Sequence, residues 1–60
     1  MFNVVYRIEG FIWYLKGTVW TSDPDRARQY ETAELAGKAL AKVKPFIKPI
    51  AFKNARIETV

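Results

Sequence analysis

The sequence contains no cysteine and no histidine. The first absence excludes a disulfide framework, and the two together leave carboxylates as the only strong side-chain metal ligands. They also remove the commonest general base and the most nucleophilic side chain. The three glycines, at 10, 17 and 37, are isolated, so the chain has no glycine-rich loop of the kind that cradles phosphates. No apolar run approaches the roughly 18 residues of a membrane span. The opening MFNVVYRIEG lacks the basic and long apolar regions of a signal peptide. These absences predict a non-catalytic protein with no cofactor, no metal and no membrane partner, and a cytoplasmic location.

What is present is a globular composition: half the residues are hydrophobic and 27% are charged, too apolar for a disordered chain. Sixty residues make a single α+β domain over 1–60, of a size that is marginally stable alone. Small scaffolds usually need a staple. With disulfides excluded, homo-oligomerisation is the favoured one.

Charge is unevenly spread. Residues 1–34 carry Arg7, Lys16, Arg26 and Arg28 against Glu9, Asp23, Asp25, Glu31 and Glu34. Residues 35–57 carry Lys38, Lys42, Lys44, Lys48, Lys53 and Arg56 with no acid, and the whole chain has a net charge of +4. Such asymmetry favours anionic partners, although lysines also simply solvate helices and loops.

Phe2, Val4, Tyr6 and Ile8 alternate with Asn3, Val5, Arg7 and Glu9, the period of a half-buried strand. A two-residue turn at Glu9-Gly10 pairs Ile8 with Phe11, Tyr6 with Trp13 and Val4 with Leu15 on one face. It sets Arg7 by Ile12, Val5 by Tyr14 and Asn3 by Lys16 on the other. A second turn at Lys16-Gly17 sets Trp13 by Trp20 and Tyr14 by Val19. This predicts an inner row Tyr6–Trp13–Trp20, with both tryptophans in the core.

In TSDPDRARQY, Ser22 or Asp23 can cap a short helix with Pro24 at its first position. A second helix begins at Thr32, with Ala33, Ala36, Leu40 and Val43 as its apolar stripe, joined by Leu35 and Ala39. Pro45 stops it. Phe46 and Ile47 are expected to tuck against the core, and IAFKNARIETV reads as a final strand with Ala55, Ile57 and Thr59 on one side. The predicted fold class is α+β: a three-strand antiparallel meander, two helices and a final strand in two layers, β-β-β-α-α-β.

The outward sheet face carries Val5, Ile12, Tyr14 and Val19, flanked by Arg7 and Lys16. Either the final strand, the 45–50 loop or a different strand register covers them, or they form a surface for self-association or for a partner. Arg26 and Arg28 suit phosphate recognition, but two residues apart on a helix they splay by roughly 200° and need an oligomer to converge. Asp23 and Asp25 flank Pro24 as caps rather than as an acid–base pair.

The stretch from Tyr14 to Leu40 resembles a pattern in short proteins of phages and prophages. That pattern is an aromatic-Leu strand, a Trp-Thr step, an Asp-Pro helix start with alanines, then Thr and a second Ala-rich helix. The matching positions are Tyr14, Leu15, Trp20, Thr21, Asp23, Pro24, Ala27, Tyr30, Thr32, Ala36 and Leu40, spread over about half the chain. The resemblance implies a small protein that acts by binding, inhibiting host machinery or antiviral defence; it transfers no site residues. Two mechanisms fit: occlusion of a host protein through Val5, Ile12, Tyr14 and Val19, or capture of an anionic nucleotide between subunits by Arg7, Lys16, Arg26 or Arg28 with an aromatic. The alternative is a small basic nucleic-acid-binding module using Lys38–Arg56, although no nucleic-acid motif is present.

Overall fold

The computed structural model describes residues 1–60. Strands β1 (Phe2–Ile8), β2 (Phe11–Lys16) and β3 (Val19–Thr21) form an antiparallel meander. Helices α1 (Ala33–Val43) and α2 (Pro49–Asn54) follow, and β4 (Ala55–Thr59) returns beside β1, giving the sheet order β3-β2-β1-β4. The fold is α+β.

The first turn forms where the alternation places it. Glu9 and Gly10 both have positive φ, 49° and 83°, as a type I′ turn requires. Ile8 pairs with Phe11, Tyr6 with Trp13, Arg7 with Ile12 and Val5 with Tyr14. The expected pairs Val4–Leu15 and Asn3–Lys16 do not form. There the returning chain wedges between the diverging strands: Phe2 and Tyr30 exchange both backbone hydrogen bonds at 2.7 Å, and the Arg28 N–H donates to the Leu15 carbonyl at 3.1 Å.

The second turn lies one residue further on than expected. Lys16 pairs with Val19, Leu15 with Trp20 and Tyr14 with Thr21, so the loop is Gly17-Thr18. Gly17, with φ 66°, takes the first loop position, where a type II′ turn needs glycine. Moving the bend by one residue slides the partner strand by two, one full pleat, so every face assignment survives. The neighbours change, however. In place of the row Tyr6–Trp13–Trp20, Tyr6 meets Trp20 directly, ring centroids 5.5 Å apart and tilted by 51°. Trp20 packs against the core, whereas Trp13 stays half-buried outside it.

Three helical expectations are corrected. Pro24–Arg26 makes one 3-10 turn, capped where Asp23 Oδ1 accepts from the Asp25 N–H at 2.9 Å, and Ala27 is already extended. The chain must straighten there to reach Leu15 and Phe2, so Arg26 and Arg28 share no α-helix. Pro49 opens α2 at the first helical position, which a missing N–H tolerates. Residues 50–54, read as strand, are therefore helical. Ala55, Ile57 and Thr59 do face inward, opposite Tyr6, Val4 and Phe2.

Thr32 caps α1, its Oγ1 accepting from the Leu35 N–H at 3.1 Å. Ala36 and Val43 are buried and Leu40 is packed beside them, while Ala33 and Leu35 are exposed, outside the expected stripe. Val4, Leu15, Ala36, Val43 and Ala55 form the core, with Phe2, Trp20, Tyr30, Leu40 and Ile47 around it. Gly37 lies over β4; a Cβ there would meet Ile57 Cδ1 at 3.6 Å, an ordinary contact. Gly37→Ala is therefore expected to stabilise the protein by about 0.5–1 kcal/mol through helix propensity, a rise of roughly 2–8 °C in melting temperature by calorimetry.

Candidate functional site

The outward sheet face is less open than its sequence suggests. Val5 is only 2% exposed. Tyr14 and Arg56 flank it on the neighbouring strands. Arg7 and Glu58 form a forked ion pair, including Nη2 to Oε1 at 2.8 Å. Glu58 stands opposite Asn3, four residues along from Arg7, so the two side chains meet by lying along the sheet beside Val5. Ile12 and Val19 remain exposed at opposite ends of the β2 row, separated by half-buried Tyr14, with Lys16 opposite Val19.

The Arg7 guanidinium holds the Glu58 carboxyl below the usual carboxylate range by direct hydrogen bonding, and Glu58 raises Arg7 in return. A carboxyl lowered in the folded state contributes stability above its unfolded value and loses it as pH falls through its folded value. Glu58→Gln should thus lower the melting temperature at neutral pH. Its deficit should shrink on acidification below about pH 4 as the native carboxyl protonates. Both side chains are solvent-exposed, so added salt should shrink the deficit too.

The four cations expected to meet a nucleotide are distributed around the molecule. Arg7 is held by Glu58 and Lys16 lies on the outward face. Arg26 Nε stands 3.7 Å from Asp23 Oδ2. Arg7 also borders a hollow of about 330 Å³ at the first turn, whereas Arg28 enters a larger concave surface, where its guanidinium lies 5.9 Å from the centre of the Tyr30 ring.

That surface is a groove of about 970 Å³ lined by α1 and residues 28–31, with Gly17 and Thr18 also in its wall. Leu35, Ala39, Val43, Tyr30 and Phe46 supply its apolar lining. Arg28, Lys38 and Lys42 supply three cations against one lining acid, Glu31. Leu35 is 45% and Phe46 70% exposed, so the apolar lining is open to a ligand. Ile47 packs inward as expected, but Phe46 does not tuck against the core; it projects into the groove. The spacing of Leu35, Ala39, Lys42 and Phe46, four, three and four, is the sequence signal for this second face of α1.

The other basic residues of 38–56 turn elsewhere. Lys44 Nζ lies 5.0 Å from the centre of the Phe52 ring, and Arg56 donates to the Lys53 and Ala55 carbonyls. No group of three or more carboxylates is placed to hold a metal ion, and no helix is long and apolar enough to cross a membrane. No protein-family model, curated protein or solved structure matches the chain.

Proposed function

We propose that this chain is a non-catalytic binding protein whose groove captures an acidic, amphipathic segment of another protein, occluding it. The observation that carries the reading is the combination in one groove of exposed Leu35 and Phe46 with Arg28, Lys38 and Lys42. Apolar anchors in a groove read the hydrophobic side of a helix, and a cationic rim selects acidic flanks. The phage-like resemblance supports reading this capture as inhibition of host machinery, in a host cytoplasm. Of the two mechanisms, protein occlusion is favoured, since the groove sets exposed apolar anchors beside its cations, whereas Arg7 and Arg26 already face Glu58 and Asp23.

The test uses a helical peptide with leucine at i, i+3, i+4 and i+7 and glutamate elsewhere, beside its lysine-for-glutamate counterpart and a panel of linear and cyclic nucleotides. The acidic peptide should bind, weaken with salt and raise the melting temperature by mass action; the lysine peptide should not. A melting shift with nucleotides alone would assign the groove to nucleotide capture instead. Retention on DNA or RNA that falls steeply with salt, without peptide binding, would favour the nucleic-acid module.

A further inference from the structure

We propose that β4 is the interface through which two copies of this chain pair, edge to edge, into one eight-stranded sheet. The pairing does not depend on what the groove holds. β4 ends the strand order, with β1 on its inner side and no strand on the other. Its backbone orientation follows from its neighbours. The Val60 N–H donates to the Met1 carbonyl at 2.9 Å, and Phe2 spends both backbone groups on Tyr30. Antiparallel pairs alternate in which residues exchange hydrogen bonds. Arg56 and Glu58 therefore bond to β1, and Ala55, Ile57 and Thr59 aim their N–H and C=O groups at the free edge. The Ala55 N–H is taken by the Phe52 carbonyl and its own carbonyl by Arg56. Ile57 and Thr59 are left with open donors and acceptors.

Two antiparallel two-fold registers would use those groups, and the side chains choose between them. Centring on Glu58 sets two carboxylates face to face. Centring on Ile57 sets Arg56 opposite Glu58 of the second copy, twice, in the closely spaced pair where side chains lie nearest. In that register the two Ile57 residues exchange both hydrogen bonds and bring their side chains, 38% exposed in one chain, together on the inner face. The Thr59 N–H meets the Ala55 carbonyl of the second copy, which has a second lone pair to give. Arg56 uses only Nη1 internally, so Nε and Nη2 remain for the new carboxylate. Glu58 can accept from both Arg7 and the incoming guanidinium. The flank of α1 on this side carries the small residues Ala33, Gly37 and Ala41, with Gly37 over Ile57.

The two-fold axis stands perpendicular to the sheet. Both helical layers, and both grooves, would open on the same side, which suits a bivalent grip on a partner.

Sedimentation equilibrium tests the pairing by charge exchange. The wild type should show twice the 6.9 kDa of one chain. Arg56→Glu alone and Glu58→Arg alone should each weaken self-association at least about tenfold, since each juxtaposes like charges. Mixed one to one, the two variants should pair again, because every contact then joins an acid to a base. In the unaltered protein, the Ile57 and Thr59 amides should gain hydrogen-exchange protection as concentration rises, a readout that needs no variant to fold. A wild type that stays at 6.9 kDa with unprotected Ile57 and Thr59 amides would overturn the proposal. So would a dimer that both variants leave intact.

Discussion

Leu15→Ala is expected to remove about half of the chain's stability and bring it to the margin of folding at room temperature. Leu15 is fully buried and sits where β2 parts from β1, against Val4, Ala36, Val43 and Ala55. Its carbonyl also receives the Arg28 N–H that anchors the returning segment. Removing a buried leucine side chain to the Cβ costs about 2–5 kcal/mol, part of it for the cavity left behind. A sixty-residue domain has roughly 3–9 kcal/mol in total at 0.05–0.15 kcal/mol per residue. Only nine residues are buried, so few other contacts can offset the loss. Urea titration followed by near-ultraviolet circular dichroism should show the midpoint of the tryptophan signal moved well toward zero denaturant. Phe11→Ala is the control: Phe11 faces the same way along the sheet but is 63% exposed beyond the helices, and its loss should be small.

The second large effect concerns binding rather than folding. The double variant Lys38→Glu, Lys42→Glu should lower affinity for the acidic amphipathic peptide by about 2 kcal/mol, roughly thirtyfold, as two favourable contacts of up to ~1 kcal/mol become repulsive. The fold should tolerate it. Lys38 and Lys42 are exposed, and the one ion pair lost, Lys38 to Glu34 at 3.6 Å, is an i,i+4 surface pair worth a few tenths of a kcal/mol. Fluorescence anisotropy with matched thermal melts separates the two quantities. An affinity that falls only with the melting temperature would make the lysines structural.

How far the fold was legible depended on whether local signals were unique. Glu9-Gly10 could be located because a bend one residue away would have mixed the apolar and polar faces of β1 and β2. Gly17 offered no such discrimination. Glycine serves both as the second residue of a Lys16-Gly17 bend and as the first of a Gly17-Thr18 bend, and both leave Leu15 and Trp20 facing inward. Only the paired partners differ, and alternation does not encode those.

The prolines were read with similar ambiguity. Pro49 ends one kind of segment and begins another, and only the run of Ile50 to Asn54 back toward Ala55 decides. Pro24 and the Asp23 cap supply a genuine helix start, which stops after one turn because distant acceptors, the Leu15 and Phe2 carbonyls, claim Arg28 and Tyr30. Those bonds span segments far apart in sequence and leave no local trace.

The site was less legible than the fold. Val5, Ile12, Tyr14 and Val19 face outward as the alternation requires, but Val5 is buried there while Ile12 and Val19 are not, a difference that spacing does not encode. The groove was hidden by reading every apolar residue of α1 as core. Leu35 belongs to its other stripe, and Phe46 continues that stripe past Pro45.

Amide shifts of the 15N-labelled protein titrated with the acidic amphipathic peptide test the groove most directly. Capture there requires the perturbations to concentrate at Arg28, Tyr30, Leu35, Lys38, Lys42 and Phe46. Perturbations centred on Ile12, Tyr14 and Val19 across the sheet, or none at saturating peptide, would contradict it.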